Sequence, residues 1–162
     1  MSELTTPTPE SQTDFLSRPL LATLRLDLEK TLYLALIILA FVSRFWGLGD
    51  RVMSHDESLH TQFSFQYYDG QGYQHTPMMH GPFLFHVTAV SYWLFGDNDF
   101  TSRVPVALLG ILMVAFPYAL RPWLGRKGAL FASFLLLISP YISYYARYIR
   151  HDTPVMMWAL IV

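Results

Sequence analysis

The chain has 162 residues, 52% of them hydrophobic and 14% charged, with a net charge of −1, a mean hydropathy of +0.29 and no cysteine. Soluble domains carry about 25% charge, so this composition excludes a disordered chain, a disulfide scaffold and a nucleic-acid arm, and points to an integral membrane protein. The small net charge says nothing about partners, because membrane charge is informative by position, and without cysteine there is no thiolate metal site.

Residues 1–30 read as a tail outside the membrane, Ser/Thr/Pro-rich over 1–19 as in Thr5-Thr6-Pro7-Thr8-Pro9, and expected to be disordered. No basic segment runs directly into an apolar core with a small-residue cleavage site, so the tail is not a signal peptide. The first spanning helix is predicted over 31–49; nineteen residues at about 1.5 Å each give about 28 Å, enough to cross the hydrocarbon. Arg44 lies in its last turn, placed to snorkel to the interface beside Trp46.

Residues 50–102 change character and hold five of the six histidines and six of the twelve acids. Ser54 or Asp56 can cap a helix over 55–68, with Leu59, Phe63 and Tyr67 on one face and Asp56 and His60 on another. Residues 82–96 are apolar but only fifteen long, which suits either a short span or a helix lying at the membrane surface. A clear span follows over 103–120, with Pro105 and Pro117 near its two ends, then a basic turn at Arg121, Arg126 and Lys127, and another span over 128–146. A polar knot at 147–152 leads to Thr153, expected to cap a last helix with Pro154 at its first position. That apolar run, 153–162, is about half of a spanning length, so the chain reads as the N-terminal part of a longer protein.

Charge sets the expected topology. The basic turn at 121–127 should be cytoplasmic, and so should the tail with Arg18, Arg25 and Lys30. An even number of spans must then separate them, which makes 82–96 interfacial and puts 50–102 and 147–152 on the outer side. Every histidine falls on that side, although the histidines played no part in the assignment.

Several outer residues can carry chemistry. The adjacent carboxylates Asp56 and Glu57 can serve as a general base, hold a divalent cation through oxygen, or simply cap a helix. Arg147 and Arg150, three apart and expected to face one way, suit a phosphate, which arginine grips bidentately; as snorkelling residues they would run against the positive-inside bias. His151 and Asp152 adjoin them. A metal site at His55, Asp56 and His60 has no HExxH or HxH spacing behind it. His86 reads as a hydrogen-bonded packing residue. Tyr144, Tyr145 and Tyr148 read as an interfacial aromatic belt or, alternatively, as rings that stack on a sugar.

The order of these features resembles a known family. An acidic pair follows the first span; then come His80-Gly81-Pro82, Leu94-Phe95-Gly96, Arg103-Val104-Pro105, Ser139-Pro140 and Arg147-Tyr148-Ile149-Arg150-His151-Asp152. The pattern is similar to the membrane-embedded GT-C glycosyltransferases. It looks most like the branch with protein O-mannosyltransferases and lipid A aminoarabinose transferases, and within it a flippase-activity-associated subgroup. Other members carry Pro-Pro where this chain has Gly81-Pro82.

The resemblance implies an all-α, polytopic module with juxtamembrane helices on the outer face of a cell membrane. It implies transfer of a sugar, with inversion, from a polyprenyl-phosphate lipid to an acceptor left unspecified, with no nucleic acid involved. By the same resemblance Asp56 is the base, Glu57 the second acid and Asp152 the acid after the third span. Arg103, Arg147, Arg150, His151 and His80 are substrate-binding candidates. No cofactor is fixed, and a divalent metal is optional. The rival reading is a non-catalytic binder of lipid-linked sugar or a translocation-associated protein.

Overall fold

The computed structural model describes residues 27–73 and 81–162, and every regular element among them is helical. His75 and His80 lie outside the described residues, as does most of the tail. The helices are α1 (Leu28–Phe45), α2 (His55–Tyr68), α3 (Phe83–Phe95), α4 (Asp99–Ala115), α5 (Arg121–Ile138), α6 (Pro140–Tyr145) and α7 (Asp152–Ile161), with a 3₁₀ turn at Phe116–Tyr118 after α4. α4 is the hub: α1, α3, α5, α6 and α7 all pack against it. Its contact faces carry small residues and short apolar ones, with Val106, Ala107, Gly110, Met113 and Val114 buried. A Cβ on Gly110 would collide with that of Ala146, so the chain leaving α6 crosses α4 at glycine distance.

Among the described residues one helix, Asp99–Tyr118, is long and apolar enough to cross a membrane. The other expected spans, over 31–49 and 128–146, do not meet that measure among the described residues. α1 has the length but holds Glu29, Lys30 and Arg44. The expected span at 128–146 is interrupted: α5 stops at Ile138, and Ser139 and Pro140 start the short α6. α3, at thirteen residues, rises about 20 Å and falls short of the hydrocarbon thickness.

Proline explains the interruption and one of the interhelical bonds. Pro140 has no N–H for the carbonyl of Leu136, and Arg44 donates to that carbonyl instead at 3.2 Å, and to Leu137 at 3.4 Å. Arg44 is therefore fully buried against the end of α5 rather than snorkelling to the interface. Pro105, inside α4, likewise orphans the carbonyl of Thr101, and Ser91 of α3 donates its hydroxyl there at 2.6 Å. Thr153 does not cap α7 either. The helix begins two residues earlier than expected, at Asp152, and the Thr153 hydroxyl donates to the Tyr145 carbonyl at 2.7 Å and ties α7 to α6.

At the opposite end of α1, Arg121 and Arg126 of the basic turn pair with Glu29, and Arg126 also with Asp27. The basic segment is helical apart from a kink at Gly125, where φ is +69°. The start of α1 and the basic turn thus lie together, and the link that follows Phe45 lies at the other end with α2 and the 146–151 segment.

Candidate functional site

The site is built on the N-terminus of α2. Ser54 and Glu57 form a capping box: the Ser54 hydroxyl accepts from the Glu57 N–H, and the Glu57 carboxylate accepts from the Ser54 N–H at 3.1 Å. That cap starts the helix where the sequence places it, and it fixes which way the two adjacent acids point. Glu57 turns inward and is fully buried. Its carboxylate accepts from Arg103 Nε at 3.1 Å, Arg51 at 2.8 Å and the Ile149 N–H at 3.3 Å. Arg103, also fully buried, spends its remaining reach on the Leu48 carbonyl at 2.9 Å.

One carboxylate therefore joins α2, α4, the link after α1 and the 146–151 segment. Buried ions are stable only when paired and hydrogen-bonded, and both conditions are met here. The inward face of α2 consists of Glu57, His60 and Ser64. The expected apolar stripe of Leu59, Phe63 and Tyr67 is less buried than this polar one, because polar residues of α2 have buried partners waiting on the neighbouring elements.

Asp56 points the other way. Its side chain is 53% exposed where that of Glu57 is wholly covered. Arg150 approaches it to 3.9 Å and holds Asp152 at 3.2 Å through Nε. Asp56, Arg150 and Asp152 thus form an acid–arginine–acid row open to solvent. The expectation that Arg147 and Arg150 share a face is corrected. The 147–151 segment is not helical, and Arg147 turns back to donate to the carbonyls of Trp46 and Gly47 at 2.6 and 3.0 Å. Those carbonyls follow the C-terminal end of α1, where a cation is favoured.

The histidines gather in part. His60 and His151 meet edge to face with ring centroids 5.3 Å apart, and His60 also meets Phe85 at 5.7 Å. His86 bonds through Nδ1 with the Pro82 carbonyl at 2.7 Å and lies against Tyr67, a packing arrangement. Among the described residues no three His, Asp or Glu side chains come together to hold a metal. His55 and Asp56 are exposed while His60 is buried, so these three candidates do not assemble.

Sequence reasoning passed over Arg51. It lies over the rings of Tyr144 and Tyr148 at 5.5 and 5.0 Å, bonds the Tyr144 hydroxyl and reaches Glu57. The signal was available: Arg51 is a cation on the expected outer side, the same argument that singled out Arg147 and Arg150. Tyr144 and Tyr148 stack on one another with centroids 5.6 Å apart, and the Tyr148 hydroxyl shares a hydrogen bond with Ser54. These rings are thus tied into the site.

A family model described as dolichyl-phosphate-mannose-protein mannosyltransferase matches residues 79–162, which include α3 to α7 with Arg103, Arg147, Arg150 and Asp152. No curated protein and no solved structure matches the chain.

Proposed function

The chain belongs to the dolichyl-phosphate-mannose-protein mannosyltransferase family, and on that premise we propose that it transfers a sugar from a polyprenyl-phosphate donor to an acceptor hydroxyl, with Asp56 as the general base. The family is one of membrane-embedded glycosyltransferases of the mannosyltransferase type that use polyprenyl-phosphate sugar donors. The observation that carries the choice of base is the contrast between the two acids. Glu57 has its oxygens occupied by Arg51, Arg103 and two backbone N–H groups, whereas Asp56 is half exposed beside a single arginine. A base needs a lone pair facing the hydroxyl it deprotonates, and Asp56 has one.

In this reading the Asp56 carboxylate takes the proton of the acceptor hydroxyl as its oxygen attacks the anomeric carbon. The bond from that carbon to the phosphate oxygen breaks on the opposite face, so configuration inverts. The leaving phosphate carries away the bonding electrons, and Arg150 is the cation nearest the base that can offset the growing charge. Asp152 holds the Arg150 guanidinium through Nε, which orients its remaining donors. His151 and His80 remain substrate-binding candidates, and Arg103 and Glu57 act by positioning.

The test is Asp56→Asn in the full chain reconstituted with polyprenyl-phosphate mannose. The expected result is a loss of turnover of about 10²–10⁴-fold, with membrane insertion and helix content kept. Unchanged turnover ends the base assignment. A protein that only binds or moves the lipid-linked sugar would tolerate Asp56→Asn and lose function with Arg150→Ala.

A further inference from the structure

Consecutive residues of the 146–151 segment each address the first turn of α2. The Tyr148 hydroxyl shares a hydrogen bond of 2.5 Å with the Ser54 hydroxyl, the Ile149 N–H donates to Glu57 at 3.3 Å, and Arg150 stands 3.9 Å from Asp56. Ser54 and Glu57 are the two members of the capping box that starts α2. The segment therefore holds the cap itself, and Asp56 lies between its two members.

The segment is anchored on its other sides. Ile149 is fully buried with Leu84 of α3 and Val106 of α4. Ala146 meets α4 at Gly110, and Arg147 is tied to the carbonyls of Trp46 and Gly47. The bond from the Thr153 hydroxyl to the Tyr145 carbonyl fixes the start of α7, where Asp152 lies.

Glu57 gives the first turn of α2 one fixed point on this frame, and a turn held at one point can still rotate about it. Ser54 supplies the second point. Outside α2 its hydroxyl meets only Tyr148 among the described residues. Tyr148 is 8% exposed, and a buried hydroxyl holds to its partner because it has little water to replace it. Asp56 projects about 100° away from Glu57 around the helix, so a rotation about Glu57 moves Asp56 directly. Its spacing from Arg150 matters in both directions. At 3.9 Å the contact is loose, and Arg150 is drawn to Asp152 at 3.2 Å. Asp56 brought closer would give its lone pairs to Arg150, and Asp56 moved away would part the base from the cation nearest it.

We propose that Tyr148 is a positioning residue: through Ser54 it sets the rotation of the first turn of α2, and so the spacing of Asp56 from Arg150. Its consequence for turnover rests on the reading of Asp56 as the base, whereas the spacing can be measured without that reading.

The experiment compares Tyr148→Phe with the wild type. The substitution keeps the ring against Tyr144 and under Arg51 and removes the hydroxyl alone. Because the chain has no cysteine, spin labels can be set on cysteines placed at the exposed Gln62 of α2 and Val155 of α7. Dipolar electron spin resonance on the full chain in nanodiscs then reads the distance between the two helices. Tyr148→Phe should shift or broaden that distribution, and Ser54→Gly, which removes the other hydroxyl with little loss of capping, should do the same even where Tyr148→Phe fails to fold. Consumption of polyprenyl-phosphate mannose should show kcat lowered about 10-fold to 100-fold, as for a misplacement of about 1 Å, with the KM for the donor little changed. In an Arg150→Ala background the same substitution should cost much less, because the spacing it sets has lost one of its ends. A wild-type distance distribution in the folded variants overturns the proposal. So does an undiminished kcat, or an equal loss with and without Arg150, which is the mark of a merely structural role. Wild-type turnover in Asp56→Asn overturns the transfer reading instead, and the distance distribution alone then decides the role of Tyr148.

Discussion

Asp56 and Glu57 are neighbours with the same functional group, and one capping interaction separates their fates. Because Glu57 is the third residue of α2, its carboxylate folds back to the Ser54 N–H and into the protein; Asp56, one residue earlier and rotated by about 100°, is left at the surface. Stability and chemistry are therefore expected to part between them. Arg103→Ala strands Glu57 with one of its two guanidinium partners gone, and breaking a buried pair costs about 3–5 kcal/mol. Asp56→Asn should change stability by no more than about 0.5 kcal/mol, as exposed substitutions do. Denaturant titration of the detergent-solubilised chain measures both. Equal losses in the two variants would show that Asp56 also has a structural role.

At the scale of elements, proline sets the helix boundaries and other helices supply what proline removes. Both Pro105 and Pro140 are visible in the sequence, but the side chains that answer them, Ser91 and Arg44, lie fourteen and ninety-six residues away from them in the chain. The prediction at this scale is a coupling. Ser91→Ala should cost about 1–3 kcal/mol, because it leaves the Thr101 carbonyl buried and unpaired. In a Pro105→Ala background the restored N–H can bond that carbonyl, and the same Ser91 change should cost far less. A double-mutant cycle on thermal unfolding measures the difference; additive effects would mean that Ser91 acts through packing alone. The same logic explains the sequence errors among the elements. Local sequence makes Arg44 a snorkel, Thr153 a cap and Arg147 half of an arginine pair, and each bonds a carbonyl of another segment instead.

For the whole molecule, two ends can be told apart by their charges. One end holds the site; the other is closed by Glu29 and Asp27 of the α1 start against Arg121 and Arg126. Burial acts to raise the Glu29 carboxyl, but hydrogen bonds from Arg126 and Arg121 and their positive charges outweigh it and hold the group below its ordinary 4.5. The sign of the pH effect follows. A lowered value in the folded state means that the clamp stabilises at neutral pH, where Glu29 is ionised folded or unfolded, and that this contribution is lost as pH falls from about 4.5 through the lower folded value. Thermal unfolding should therefore show an acid-side loss of stability below that pH, reduced in Glu29→Gln and by added salt. A pH profile identical in Glu29→Gln would remove the clamp from the account.

The sequence by itself determined the helical class, a capped start of α2 at Ser54 or Asp56 and the family, because each rests on local periodicity, local hydrogen bonding or the order of motifs along the chain. It also brought Asp56, Arg150 and Asp152 to notice. Tertiary structure alone decided which acid is buried, that Arg147 and Arg150 turn apart, that Arg51 belongs with the site, and that only one described helix is long and apolar enough to span. Those outcomes depend on which carbonyls and carboxylates are left unpaired when distant segments meet. An arginine goes to the strongest unpaired acceptor within its reach, and no pattern of neighbouring residues records where that acceptor is.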